Sequence, residues 1–92
     1  QSLAILDYLE ETHPEPALLP REPKARARAR SLAQAVACDS HPLYVPRVRR
    51  YLTDDLGLPR EAMQAWLRHW FGTGLATLEA RLTGEPGTGR YC

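Results

Sequence analysis

The sequence predicts an all-α fold, and three observations support that prediction. Apolar residues recur at every third or fourth position in the long segments, no stretch has the pattern of a strand, and prolines fall between the segments. Of the 92 residues, 43% are hydrophobic and 25% are charged, which is the composition of one modest globular core. The formal net charge is +1, so no global field directs the chain to nucleic acid or to a membrane surface.

The first helix is predicted over Gln1–Glu11 and is followed by a linker over Thr12–Glu22. Its apolar residues form a stripe at helical spacing: Leu3, Leu6 and Leu9, or Ile5 and Leu9. Its acidic residues are expected on the solvent side: Asp7, Glu10 and Glu11. Prolines end the helix and make the linker stiff and extended, while Leu18 and Leu19 are available to pin it onto a neighbouring element.

Pro23 suits the first turn of a second helix, and the Ala/Arg-rich segment after it favours helix because both residues are strong helix formers. Five residues of this helix are predicted to face inward: Ala29, Leu32, Ala33, Val36 and Ala37. Pro42 and Pro46 are expected to kink or interrupt the helix, which resumes to about Leu56 and ends at Gly57.

Pro59 is predicted to start the last long helix. Its buried stripe is expected to comprise five residues that step by three or four: Leu67, Phe71, Leu75, Leu78 and Leu82. Trp66 and Trp70 flank that stripe, where tryptophans are more often core or interface residues than ligand stackers. The segment Thr83–Gly89 is predicted to be a loop, after which Arg90–Cys92 starts a further element.

Two cysteines, Cys38 and Cys92, match no disulfide framework, which favours free thiols in a reducing cytoplasm. Cys38 and His41 have the spacing of metal ligands, but no second pair accompanies them, so a zinc site is disfavoured. No apolar run approaches the roughly 20 residues that span a bilayer, so we expect no membrane segment.

The start of the first helix offers a candidate anion site at Gln1 and Ser2. The first turn of a helix has unpaired N–H groups and the positive end of the dipole, and these side chains add a hydroxyl and an amide. The alternative is that Ser2 is an ordinary capping residue. Spacing alone favours that alternative, because capping serines are common.

A second candidate site lies around the two prolines of the interrupted helix. Its polar and basic side chains are His41, Tyr44, Arg47, Arg49 and Arg50. A proline break frees side chains to line a cleft, where an arginine fork suits a carboxylate ligand. A solvated basic face explains the same residues equally well.

A third basic cluster comprises Lys24, Arg26, Arg28 and Arg30. Four cations in seven residues could bind phosphates, but they spread around the helix, so a solvated surface is favoured. No serine–histidine–aspartate set, phosphate loop or paired carboxylate is visible. The residues alone therefore indicate a helical domain with a candidate anion cleft.

Four stretches read in order resemble one family: QSLAILDYLEETHPEPALLP, ARARSLAQAVACDSHPL, AWLRHWFGTGLATLEARL and GRYC. The chain resembles the zeta-class glutathione transferases, the family of maleylacetoacetate isomerase and bacterial maleylpyruvate isomerase. The resemblance implies that residues 1–11 are the last helix of a thioredoxin-like domain, that 12–22 link two domains, and that 23–92 are part of an all-helical domain. It also implies that the chain is a middle portion of a longer enzyme.

The resemblance further implies glutathione as the cofactor and names the residues that would bind it. Gln1 and Ser2 match the pair that holds the γ-glutamyl group, and His41 matches a position that contributes to the glutathione site. Arg47 matches an arginine that can hold a substrate carboxylate. The catalytic serine- or cysteine-containing loop of the family precedes this segment, so no catalytic residue is expected among the 92.

One departure from the family pattern lies between these residues. Related bacterial sequences read HPLNNLR, whereas this chain reads HPLYVPR. Val45 cannot give the hydrogen bond of an asparagine, and Pro46 removes a backbone donor. Glutathione affinity or substrate choice is therefore expected to differ.

The function implied by the resemblance is glutathione-dependent cis–trans isomerisation of a maleyl diacid in the breakdown of aromatic compounds, by a cytoplasmic homodimer that binds neither nucleic acid nor membrane. One alternative is a general glutathione transferase that conjugates electrophiles. A second alternative is a non-enzymatic helical module that binds a partner through Arg26, Arg28 and Arg30. The isolated 92 residues are predicted to be inactive.

Overall fold

The computed structural model describes residues 1–87, and all of the regular structure in that range is helical. Four α-helices follow one another: α1 (Ser2–Thr12), α2 (Pro23–Gln34), α3 (Pro46–Arg50) and α4 (Arg60–Gly84). Two π-helical segments, Ala35–Ser40 and Tyr51–Asp55, and a 3-10 turn, His41–Leu43, lie between α2 and α4. The all-α prediction is confirmed for this range, whereas Cys92 and the element predicted at Arg90 lie outside it.

Helix α1 and the linker follow their predicted bounds to within one residue, but one polar side chain differs from its prediction. Glu10 was expected in solvent, yet its side chain is only 10% exposed. Its carboxylate accepts a hydrogen bond from the backbone N–H of Leu18 at 2.7 Å and lies 3.6 Å from the guanidinium of Arg26. The linker is therefore fastened to α1 through Glu10, and Leu19 of the linker is half-buried.

Helix α2 begins at Pro23, as predicted, and its cap is a residue that the sequence did not suggest. The carboxylate of Glu22 accepts hydrogen bonds from the backbone N–H groups of Lys24, at 2.9 Å, and Ala25, at 2.6 Å. These two bonds hold the pKa of Glu22 below its ordinary value. Orphan donors of the first turn are thus satisfied.

Three of the four cations in the basic cluster of α2 pair with carboxylates of the protein, which the sequence did not suggest, while Lys24 and Arg30 are exposed as expected of a solvated surface. Arg26 pairs with Glu10, and Arg30 pairs with Asp7 at 3.2 Å, so both join α2 to α1. Arg28 donates to Glu85 at 3.2 Å, just beyond the end of α4. Most of the cluster therefore positions helices.

The end of α4 is fixed by the same carboxylate. Glu85 also accepts from Arg81 at 2.7 Å, and Arg81 donates to the hydroxyl of Ser31 on α2 at 3.1 Å. The hydrogen bond from Arg81 is the main reason that the pKa of Glu85 lies below its ordinary value, and Arg28 adds to it. The predicted loop boundary at Thr83 was wrong, because its hydroxyl still donates to the carbonyl of Glu79 at 2.8 Å inside α4.

The core of the described chain is small. Leu32 on α2 and Met63 on α4 are 8% and 7% exposed, and no other described apolar residue falls in the buried class. The predicted stripe of α4 is therefore only partly right: Leu67, Leu78 and Leu82 are half-buried, whereas Phe71 and Leu75 are 44% and 65% exposed. Val36, also expected to face inward, is exposed.

The described chain is also elongated, which explains these exposures. Its radius of gyration is 16.7 Å and its principal extents are 48 × 32 × 17 Å. A compact domain of this length has a radius of gyration of about 12 Å. The smallest extent is about the thickness of two packed helices, so one side of each helix has no packing partner from within the described chain. Apolar residues at helical spacing on that side therefore stay exposed. Within residues 1–87, no helix has the length and apolar character of a membrane span.

Candidate functional site

The break between α2 and α4 carries two of the predicted binding residues. The chain leaves α2 through the π-helical segment, turns through His41–Leu43, becomes extended at Val45 (φ −63°, ψ 156°) and starts α3 at Pro46. Proline suits both turns, because Pro42 lies in the first turn of the 3-10 segment and Pro46 in the first turn of α3. The predicted interruption by these prolines is confirmed.

His41 lies at the start of this break and is exposed. The edge of its imidazole faces Tyr44, with ring centroids 5.6 Å apart and planes at 82°. Tyr44 in turn stacks on Phe71 of α4, with centroids 4.0 Å apart and planes at 21°. The tyrosine that replaces an asparagine of the family pattern therefore packs on α4 and stands beside the predicted glutathione ligand.

Trp66 ties the same break to α4 by a hydrogen bond. Its indole N–H donates to the carbonyl of Leu43 at 2.7 Å. Both residues are half-buried, and Trp66 also meets Trp70 edge to face at 5.7 Å. The sequence suggested a core, interface or ligand-stacking role for Trp66, and nothing in its spacing reveals a backbone acceptor.

Arg47 is exposed in the first turn of α3, next to two more exposed arginines. Arg49 and Arg50 line a cavity of about 260 Å³ with Pro46, Thr53 and Met63, and Arg47 is not among its lining residues. None of the three arginines pairs with a carboxylate from the described part of the chain. Their guanidinium groups are therefore available to an anionic ligand.

Gln1 and Ser2 lie at the start of α1 and are exposed. Gln1 occupies the N-cap position without a side-chain capping bond, and its carbonyl accepts from the N–H of Ile5 at 3.2 Å. Ser2 lies inside the first turn rather than at the cap, so the interpretation of Ser2 as a capping residue was wrong. The polar side chains of this turn therefore face solvent.

The structure brings His41 and Arg47 onto one segment and places Gln1 and Ser2 on another helix. Among residues 1–87, no hydrogen bond or ion pair joins the first pair to the second. A cavity of about 310 Å³ lies between α1, the linker and α2, but leucine and alanine side chains dominate its walls, and its rim charges, Asp7 and Arg30, pair with each other. That Gln1, Ser2, His41 and Arg47 form one binding site thus stays a prediction.

Cys38 does not extend the site. It is exposed, with a free thiol, in the π-helical segment before His41. No group of three or more histidine, cysteine, aspartate or glutamate residues within the described range is arranged to hold a metal ion.

The chain is similar to known isomerases over nearly its whole length. No protein-family model matches the sequence. A maleylpyruvate isomerase from a Ralstonia species is 43% identical over 91 residues, which cover 99% of this chain and 43% of that protein. A maleylacetoacetate isomerase from Pseudomonas aeruginosa is 46% identical over 87 residues, which cover 95% of this chain and 40% of that protein.

Solved structures give the same relationship. A maleylacetoacetate isomerase from Methylobacterium extorquens AM1, with bound malonate and glutathione, matches with a TM-score of 0.92 and 67% identity over 100% of this chain and 43% of that one. The holo structure of a maleylpyruvate isomerase, described as a zeta-class bacterial glutathione S-transferase, matches with a TM-score of 0.92 and 43% identity over 99% of this chain and 43% of that one. The chain thus spans less than half the length of these relatives. Over that span, it belongs to the zeta-class glutathione transferases, the family of the maleylacetoacetate and maleylpyruvate isomerases.

Proposed function

We propose that the protein containing this chain is a glutathione-dependent isomerase that converts a maleyl diacid, maleylacetoacetate or maleylpyruvate, to the fumaryl form. The observation that carries the proposal is the match to the Methylobacterium isomerase, at 67% identity, whose structure holds glutathione and malonate. Malonate is a small dicarboxylate, as is the proposed substrate. The names of the relatives from Ralstonia and Pseudomonas support the same chemistry.

The donor set of this chain suits both ligands. Glutathione would supply a thiolate that adds to the activated double bond, so that the resulting single bond rotates before elimination restores the double bond. We assign Gln1 and Ser2 to the γ-glutamyl carboxylate and amino group, because an exposed helix N-terminus with a hydroxyl and an amide favours an anion. We assign His41 to glutathione as well.

Arg47 is assigned to a carboxylate of the substrate. Its guanidinium has no carboxylate partner among the described residues, and a guanidinium offers paired donors that match the two oxygens of a carboxylate. Its placement on the same segment as His41 would bring substrate and glutathione to one side of α4. No catalytic residue is assigned within residues 1–92.

The test is a rate measurement on the full-length protein with maleylpyruvate and maleylacetoacetate, with and without glutathione. Turnover of either diacid only in the presence of glutathione supports the proposal. Absence of glutathione-dependent turnover of both would refute it. The isolated 92-residue chain is expected to be inactive in the same assay, because the family's catalytic loop is not part of it.

General glutathione transfer to electrophiles is a second candidate, favoured by the sequence Tyr44-Val45-Pro46. The stack of Tyr44 on Phe71 presents aromatic surface beside His41, where the family pattern has amides. A glutathione S-transferase from Legionella pneumophila also matches, with a TM-score of 0.87 and 44% identity. Parallel assays with a chlorinated nitroarene and a maleyl diacid separate the two functions, since the isomerase prefers the diacid.

We also propose that the protein is a cytoplasmic homodimer in which residues 1–11 close a thioredoxin-like domain, 12–22 form the interdomain linker and 23–92 belong to the helical domain. The exposed apolar side chains of α1, including Ile5 and Leu6, support packing against a part of the protein outside this chain. Light scattering on the full-length protein tests the dimer, and a monomeric mass at micromolar concentration would contradict it.

A further inference from the structure

The break between α2 and α4 carries both His41 and Arg47, so the rigidity of that break decides whether two predicted ligands hold their positions. Its backbone has a weak point at Leu43. A continuing helix would pair the carbonyl of Leu43 with the N–H of residue 46 or 47. Here residue 46 is a proline without an N–H, and the chain becomes extended at Val45 before Arg47 is reached.

The indole of Trp66 supplies the missing donor. Its N–H lies 2.7 Å from the carbonyl oxygen of Leu43, in a part-buried position where an unpaired carbonyl would cost free energy. Trp66 belongs to α4, the longest helix of the structure, and its ring is further held against Trp70. The indole N–H of Trp66 is therefore held in place by a long helix.

A second contact fastens the same break to the same helix one residue later, where Tyr44 stacks on Phe71. Tyr44 also donates its backbone N–H to the carbonyl of His41 at 3.2 Å, so the position of His41 follows that of the turn. The two contacts to α4 thus lie between His41 and Arg47 in the chain.

We propose that Trp66 is a positioning residue of the binding site, which fixes His41 and Arg47 through its hydrogen bond to Leu43. This inference rests on the function proposed above, because it assumes that these two residues contact glutathione and a substrate carboxylate. Trp66 itself is not assigned a contact with either ligand. Loss of its N–H loosens the break and weakens binding, while the chemical step is unaffected once both ligands are bound.

The test compares Trp66→Phe with Trp70→Phe in the full-length protein. Both changes remove an indole N–H and keep an aromatic ring, but the described residues offer an acceptor only to Trp66. Calorimetry with reduced glutathione is expected to show a Kd raised up to about thirtyfold in Trp66→Phe, with the free energy of one lost hydrogen bond as the upper limit because this bond lies within the protein. The KM for the maleyl diacid rises with it, and kcat stays within about twofold. Trp70→Phe keeps an aromatic ring beside Trp66 and leaves the hydrogen bond to Leu43 in place, so it is expected to change Kd and KM much less.

Two spectroscopic measurements test the inference independently of turnover. In the wild-type protein, the indole hydrogen of Trp66 should exchange with solvent at least about tenfold more slowly than that of Trp70, which needs no variant to fold. In Trp66→Phe, the imidazole signals of His41 should shift, whereas Trp70→Phe should leave them in place. Fast exchange at Trp66, unmoved His41 signals, or equal effects of the two variants would overturn the proposal.

A wild-type protein that neither binds glutathione nor turns over a maleyl diacid would refute the proposed function instead. In that case the His41 signals alone decide on Trp66. Their shift in Trp66→Phe would still establish a positioning role for the break, and their constancy would exclude it.

Discussion

The carboxylate of Glu10 accepts a hydrogen bond from the backbone N–H of Leu18 at 2.7 Å, so a side chain of α1 holds the linker eight residues further along the chain. The same carboxylate lies 3.6 Å from Arg26 on α2. The side chain of Glu10 therefore joins α1, to which it belongs, to both the linker and α2.

Removal of this carboxylate should loosen the linker. In the full-length protein, Glu10→Ala is expected to lower the free energy of unfolding by about 1–3 kcal/mol, because the backbone N–H of Leu18 and the guanidinium of Arg26 lose a carboxylate whose side chain is only 10% exposed. Urea denaturation measures the change. Glu11→Ala is the matched control, since Glu11 is exposed on the same helix, and a loss as large in the control would contradict the role of Glu10.

The cap at Glu22 predicts a dependence of stability on pH. Its pKa is depressed in the folded protein by the N–H groups of Lys24 and Ala25, so its carboxylate stabilises the fold fully above the unfolded pKa near 4.5. That contribution is lost as the pH falls through the lower folded pKa. Thermal unfolding between pH 7 and 3 should therefore show a smaller acid destabilisation in Glu22→Gln than in the wild type, and identical pH profiles would contradict the cap.

Two glycines of α4 should respond in opposite directions to the same substitution. A Cβ at Gly72 meets no atom within 4 Å, so Gly72→Ala is expected to stabilise the helix by about 0.5–1 kcal/mol. A Cβ at Gly74 would approach the Cβ of Ser40 to 3.0 Å and collide with its hydroxyl, so Gly74→Ala is expected to destabilise the protein. Chemical denaturation of the two variants provides the comparison.

The collision at Gly74 has its own control. Ser40→Gly removes the atoms that the new methyl group would meet, so the double variant Ser40→Gly, Gly74→Ala should lose less stability than the sum of the two single variants. Simple additivity would show that the close approach of the π-helical segment to α4 does not limit residue 74.

The proposed role of Arg47 predicts a difference between neighbouring arginines. Arg47→Ala in the full-length protein should raise the KM for the maleyl diacid about ten- to a hundredfold, the cost of losing a charge-assisted pair. Arg49→Ala removes the same charge from the same short helix and should leave KM within about threefold. Equal effects of both variants would indicate a general basic field rather than a carboxylate contact at Arg47.

The boundaries of the fold were largely predictable, because proline acts locally. Pro23 starts α2, Pro42 and Pro46 break the chain where expected, and Gly57, with φ of +65°, follows the second π-helical segment. The capping carboxylate of Glu22 was missed, since glutamate is not among the residues that usually cap helices.

Burial was less predictable than boundaries. Periodicity identifies the apolar face of α4, but it does not say what covers that face: Phe71 is still 44% exposed although Tyr44 stacks on it, and Leu75 is 65% exposed. Met63 is buried although it was not counted in the stripe. The candidate site shows the same limit. The predicted binding residues were identified by a family resemblance, whereas the hydrogen bond from Trp66 to the carbonyl of Leu43 depends on tertiary packing that no local sequence pattern encodes.

The π-helical segment Ala35–Ser40 ends directly before His41, and this has an evolutionary consequence. A π turn holds one more residue than the α-helical turn it replaces, and each residue of a helix turns the chain by about 100°. Loss of a single codon within this segment would therefore swing His41 and everything after it to another side of the helix axis. Deletion of one residue in this segment is therefore expected to displace His41 further than any substitution that leaves the π turn in place.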